Sequence, residues 1–193
     1  MEHERKNNLN GMEMEKGNKE SGSRKGLELT MRVLALVLSL TAATVLGVAK
    51  QTKVVSITLI PTLPPLDVSA TAKASYLSAF VFNISANAIA CGYTAISIAI
   101  LMVSKGRRSK GLIMAVLIGD LVMMALLFSS TGAAGAIGLM GVQGNKHVMW
   151  KKVCNVFGKF CHQTAASVAI TLLAAIMFMV LVVLDAMKLP QCK

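Results

Sequence analysis

The sequence predicts an all-α membrane protein, a four-transmembrane-helix bundle with both termini cytoplasmic. Three observations predict it. Four apolar stretches each reach the roughly 20 residues that a helix needs to cross about 30 Å of hydrocarbon, and inside lipid a lone segment satisfies its backbone polar groups only as a helix. Hydrophobic residues make up 54% of the 193 and charged residues 15%, with a mean hydropathy of +0.63. A soluble domain of this length could not bury that much apolar surface in one core. The net charge of +11 sits in short basic clusters beside the apolar stretches, where Lys and Arg orient spans and meet lipid headgroups. That placement makes membrane lipid the expected partner and argues against nucleic acid.

Residues 1–28 interleave Arg5, Lys6, Lys16, Lys19, Arg24 and Lys25 with Glu2, Glu4, Glu13, Glu15, Glu20 and Glu28, and hold little to bury. Such composition predicts a disordered cytoplasmic tail. The tail lacks the apolar centre and cleavage site of a signal peptide, and Glu2 excludes N-myristoylation, so the first span is expected to stay in the mature protein. The spans are expected at about 29–49, 77–103, 112–140 and 165–184, in one membrane domain of residues 29–186. The loop at about 104–111 carries Lys105, Arg107, Arg108 and Lys110, and the positive-inside rule assigns it to the cytoplasm. With four spans, both termini follow it, including the polar end 187–193. Outside loops then fall at about 50–76 and 141–164, although Lys146, Lys151, Lys152 and Lys159 in the second blunt the asymmetry.

In the first outside loop, β-branched residues alternate through Val54–Thr58 before Pro61, Pro64 and Pro65. A short strand and a turn are expected there, able to dock on the second outside loop or on a neighbouring molecule; simple coil fits equally well.

Asp120 is the carboxylate set within an apolar stretch, eight residues past Leu112 and so roughly 12 Å below the cytoplasmic surface. An unpaired charge at that depth costs at least about 2 to 3 kcal/mol, so the side chain is expected to turn inward toward a cation or to be protonated. Arg32, near the start of span one, is the best partner. The pair reads either as a structural lock between spans one and three or as a proton or ion relay. The lock is favoured, because a relay needs further polar stations, and Asn83, Asn87, Ser97 and Ser167 are adequately explained as interhelical hydrogen bonders. Asn83-Ile-Ser85 matches a glycosylation acceptor but lies within span two, out of reach of the transferase.

Cys154 and Cys161 fall in the second outside loop, where thiols oxidise, and Gly158 between them allows the return that a disulfide requires. A regular helix would hold them about 10 Å apart, so the bridge demands a loop. A metal site of Cys154, Cys161, His147 and His162 is the rival, but the spacing lacks the tight pairs of zinc sites. Cys91 lies within span two, and Cys192 is a weak candidate for palmitoylation. Trp150 is expected as an interfacial anchor. Gly132, Gly135, Gly138 and Gly141 recur every third residue of span three and suit either internal packing or oligomer contact. No P-loop, HExxH, GxSxG or nucleotide fingerprint is present, so neither enzyme activity nor a cofactor or metal is expected.

Arg32 opening span one, Gly119-Asp120 in span three, and Trp150-Lys-Lys-Val-Cys154-Asn-Val-Phe-Gly-Lys-Phe-Cys161 together resemble the plant Casparian strip membrane domain protein-like (CASP-like) family, related to MARVEL four-span proteins. Val48–Thr52, Ala72–Tyr76 and Ala86–Cys91 are similar to its first subgroup. The likeness covers nearly all of residues 27–185. It implies a plasma-membrane protein with cytoplasmic ends and an arginine and aspartate inside the bundle, which self-associates into membrane platforms. In strip-forming members the platforms recruit lignin-polymerising enzymes to the wall. The first outside loop lacks the extended signature of strip formers, so a general scaffold or barrier role is what transfers.

The expected function is therefore a non-enzymatic scaffold, a homo- or hetero-oligomer with related four-span proteins, associating through small-residue faces and presenting a surface to extracellular wall-modifying proteins. The alternative is an ion channel or proton-coupled transporter centred on Asp120, against which stands the lack of broken helices and repeated halves. An accessory subunit of a larger transporter or enzyme would show the same hydropathy.

Overall fold

A computed structural model describes residues 26–57, 66–103, 110–144 and 152–188. Within these, helices α1 (Gly26–Gly47), α2 (Ser78–Val103), α3 (Lys110–Gln143) and α4 (Gly158–Lys188) are each long and apolar enough to cross a membrane. The chain is a multi-pass membrane protein. The helices run up and down: Tyr93 of α2 bonds back to Val116 of α3, and Ser167 of α4 to Ala42 of α1. The start of α1 and the end of α4 thus share one end of the bundle, and the β-hairpin caps the other.

Which residues face inward follows a bundle period. In α1 the buried positions are Glu28, Arg32, Ala35, Ser39, Ala42 and Leu46; in α4 they include Phe160, Thr164, Ser167, Thr171, Ala174, Phe178, Leu181 and Asp185. Steps of three and four alternate, the 3.5-residue repeat of helices that supercoil left-handedly. The seam is mostly small or polar, while Val37, Leu40, Ile118, Val122, Leu173 and Val183 are turned outward. Lipid solvates large apolar side chains as well as a core would, so close backbone approach and hydrogen bonding select the interior instead. One apolar cluster joins Ala35, Ala90, Leu127 and Phe178 from all four helices. A second, at the hairpin end, joins Leu46, Phe80, Ala134 and Phe160.

Two helix limits differ from the hydropathy reading. Helix α1 opens at Gly26, ahead of Leu29, and takes in Glu28. Helix α4 opens at Gly158, well ahead of residue 165, and continues past Leu184 to Lys188. Hydropathy marks the hydrocarbon slab; a helix continues beyond it wherever its backbone bonds continue.

Strands β1 (Lys50–Ile57) and β2 (Leu66–Lys73) pair antiparallel in the register Lys50↔Lys73, Thr52↔Thr71 and Ile57↔Leu66. The Thr52 and Thr71 hydroxyls lie 3.0 Å apart across the ladder. The strand expected at Val54–Thr58 begins earlier and has a partner in β2 that the alternation did not announce; Pro61, Pro64 and Pro65 lie outside the described residues. The hairpin docks on the second loop's helix: the Phe160 N–H donates to Gln51 Oε1 at 2.9 Å. Phe160 is in the first turn of α4, whose N–H groups have no intrahelical acceptor, so Gln51 serves as a cap supplied from a distant element.

Candidate functional site

At the end of the bundle where α1 begins, Arg32 lies at the centre of a buried ion cluster. Its Nη1 and Nη2 donate to the two oxygens of Asp120 at 3.1 and 2.8 Å, and Nη2 also donates to Asp185 at 3.0 Å. Its Nε faces Glu28 one turn earlier at 3.5 Å. Lys188, a quarter exposed, closes the ring by donating to Asp185 at 2.8 Å and to Glu28. Arg32, Asp120 and Asp185 are all 0% exposed, so none of their charge is relieved by water. A planar guanidinium can meet one carboxylate with a fork and another with its outer edge, which an ammonium cannot.

The geometry follows from the seam. Glu28 and Arg32 are one turn apart on α1, Asp120 is on the inner line of α3 with Val116 and Leu127, and Asp185 ends the inner line of α4. Tyr93 of α2 lies against the cluster's α3 wall: its hydroxyl donates to the Val116 carbonyl at 2.9 Å. A β-carbon at Gly119 would come within 2.5 Å of that ring. Gly119 is thus required by close approach.

Above the cluster, a polar layer crosses the bundle. Asn87 donates to Thr171 at 3.0 Å and to the Asn83 carbonyl at 2.9 Å, Asn83 donates to Ser130 at 3.4 Å, and Ser167 donates to the Ala42 carbonyl at 2.8 Å. Ser39 Oγ and Asn87 Oδ1 are buried without a partner among the described residues.

Cys154 and Cys161 form a disulfide with Cα atoms 5.6 Å apart. Cys154 is in a short 3-10 turn, Val153–Asn155, and Cys161 is in the first turns of α4, so the loop the bridge demands is confined to the chain before Gly158. The bond occupies both thiols that the rival metal site would need. Trp150, His147 and Cys192 lie outside the described residues. Of the glycine stripe, Gly132, Gly135 and Gly138 present positions where a β-carbon would meet nothing within 4 Å, and only Gly141 approaches a neighbour, Cys154 Sγ at 3.4 Å. Internal close packing is therefore not what Gly132, Gly135 and Gly138 provide.

The structure brings Arg32 and Asp120 together and adds three groups that sequence reasoning missed: Glu28, assigned to the tail, and Asp185 and Lys188, beyond the expected end of span four. A signal was present. Asp185 continues the line of Thr164, Ser167 and Thr171 in steps of three and four, and beyond Glu28 the only carboxylate side chains are those of Asp67, Asp120 and Asp185.

Residues 21–177 match the Casparian strip membrane protein domain. The chain belongs to the CASP-like family. It is 83% identical over 190 residues to CASP-like protein 1E1 of Arabidopsis thaliana, covering 98% of this chain and 100% of that one. It is 80% identical to CASP-like protein 1E2 of the same plant with the same coverage, and 52% identical to CASP-like protein 1E2 of Vitis vinifera over 98% of each chain. No solved structure matches. In this CASP-like chain Arg32 and Asp120 fall within the matched domain, whereas Asp185 and Lys188 lie past its last matched residue.

Proposed function

We propose that this CASP-like chain is a non-enzymatic plasma-membrane scaffold that self-associates, or associates with related four-span proteins, into platforms able to recruit wall-modifying partners. The observation that carries the reading is Arg32, wholly buried and bonded to carboxylates on α1, α3 and α4. A guanidinium saturated by three helices fixes their positions, and an ion pathway would need it to be hydrated and free to exchange partners. Membership of the CASP-like family supports the same reading. Both termini are assigned to the cytoplasm from the basic loop between α2 and α3, with the hairpin and the disulfide-bound turn outward. Exposed Gly132 and Ala136 on α3 offer a face for close helix approach between copies.

Single-molecule bleaching of the tagged full chain in plant plasma membrane, wild type against Asp120→Asn at matched surface density, tests the proposal. Multi-subunit, slowly diffusing patches that disperse in the variant are expected. Freely diffusing monomers in both, or an ion flux that Asp120→Asn abolishes while assembly persists, would overturn it.

A further inference from the structure

Two strings singled out in the sequence, Val48–Thr52 and Ala72–Tyr76, each carry one lysine, and the hairpin sets the two against each other. Lys50 and Lys73 are cross-strand partners in the β1–β2 ladder. Residues directly opposite in an antiparallel pair have Cα atoms about 4.5 to 5.5 Å apart and share one face of the sheet. The next pair along that face is Thr52 and Thr71, whose hydroxyls meet at 3.0 Å. The other face is the one turned to the bundle: Gln51 accepts from the Phe160 N–H, and Ala72, its cross-strand partner, packs against the apolar cluster of Leu46 and Phe80. Lys50, Thr52 and Lys73 therefore look away from the helices, and all three are exposed.

Neither lysine makes an ion pair with another described residue. Like charges directly opposite destabilise a strand pair, and this pair is held in place where the hairpin joins the bundle, by the Ala74 N–H donating to the Ala49 carbonyl at 3.3 Å. An anion shared by the two ammonium groups turns that repulsion into attraction. The level of the pair decides which anion. Gln51, next to Lys50, is bonded to Phe160, five residues before the apolar stretch of α4 that begins at Ala165. At ~1.5 Å per residue that is about 7 Å above the hydrocarbon, within a headgroup layer roughly 5 to 8 Å deep on each side of a bilayer. We propose that Lys50 and Lys73 together hold the phosphate of an anionic membrane lipid at the hairpin end of the bundle. A wall polyanion is the poorer occupant, because the pair lies at the base of the hairpin, beside the helix ends, and not toward its Ile57↔Leu66 end.

Native mass spectrometry of the detergent-purified full chain, with phosphatidylglycerol or phosphatidylcholine of identical acyl chains added, tests the site. Wild type should retain phosphatidylglycerol in preference, and Lys50→Gln with Lys73→Gln should lower that preference roughly tenfold or more, at the strength of two lysines near a membrane surface. The control is Lys53→Gln, which removes the same charge from the same strand but from the face that carries Gln51. Lys50→Gln alone should lower the preference about fivefold, and Lys53→Gln should leave it unchanged. All of these side chains are exposed, so thermal midpoints close to wild type are expected and exclude unfolding as the cause. Equal retention of the two lipids by wild type would overturn the proposal, as would a loss in Lys53→Gln matching that in Lys50→Gln, since the preference would then follow overall charge. So would a double variant that keeps its lipid preference but loses binding to soluble polygalacturonate, which would make the pair a wall contact.

Discussion

Replacing Asp120 by Asn should damage this protein more than any other single isosteric change, because it removes the charge-assisted fork on a buried guanidinium, which then keeps only the single bond to Asp185 at 3.0 Å and the longer contact to Glu28 at 3.5 Å. Arg32 gives Asp120 two bonds, at 3.1 and 2.8 Å, and both partners are fully buried. Breaking a buried pair by removing one partner costs about 3 to 5 kcal/mol. Converted at about 2 to 4 °C per kcal/mol for a chain of this size, the thermal midpoint should fall by roughly 6 to 20 °C. Asp185→Asn leaves the fork intact and weakens one bond to Arg32, at 3.0 Å, so about 1.5 to 3 kcal/mol is expected. Lys188→Gln, at a side chain 25% exposed, should cost under about 1 kcal/mol. The assay is thermal unfolding of detergent-purified chains, with a double-mutant cycle of Arg32→Gln and Asp120→Asn. The double variant should be less damaged than the sum of the singles, because each single leaves the other partner unsatisfied. Additive losses, or an Asp120→Asn midpoint within about 2 °C of wild type, would refute the reasoning.

Three further outcomes are expected. Thiol labelling of the native chain should leave Cys154 and Cys161 unmodified, and replacing both by Ser should cost about 2 to 3 kcal/mol, the loop-closure value for cysteines 7 residues apart; quantitative labelling of either cysteine without reductant contradicts this. Gln51→Leu removes the acceptor of the Phe160 N–H, so hydrogen exchange at that amide should accelerate by roughly 2- to 12-fold, the equivalent of about 0.5 to 1.5 kcal/mol, and unchanged protection would count against the docked hairpin. Thr171→Val removes the acceptor of Asn87 and should cost about 0.6 and at most about 1.7 kcal/mol, whereas Ser39→Ala, at a hydroxyl without a partner among the described residues, should leave the thermal midpoint unchanged or raise it.

The four helices and the Arg32–Asp120 contact were legible in the sequence because lipid imposes strong rules: about 20 apolar residues per crossing, and no unpaired charge at depth. Helix ends were less legible. Hydropathy falls off at His162 and Asp185 although the backbone continues, and with it went the assignment of Asp185 and Lys188 to the site. The inward faces were hidden for a related reason, since a helix whose lipid side is more apolar than its seam has no core-facing hydrophobic stripe to read. Size and polarity at a 3.5-residue period would have shown them, as Ser39, Ala42 and Leu46 do along α1. Strand β2 was missed because its Ser69, Ala70, Thr71 and Ala72 carry little of the β-branched and aromatic signal that reveals a strand alone; its partner decides it.

Why the bundle keeps charge at all follows from the seam. Ala, Ser and Thr along α1 and α4 allow close approach but distinguish poorly between registers, since a slip of one heptad would set small residues against small residues again. In water the loss of buried apolar area would penalise such a slip, yet in lipid the displaced Leu or Val is equally well solvated. The ion cluster supplies the missing penalty. Arg32 reaches Asp120 and Asp185 together only when α1, α3 and α4 share one register, and any slip strands a guanidinium and two carboxylates in hydrocarbon. A variant with Met at Arg32 and Leu at both aspartates separates the two contributions: replacing a buried ionic triad by apolar groups is often neutral or stabilising, so what such a bundle loses is the uniqueness of its helix register.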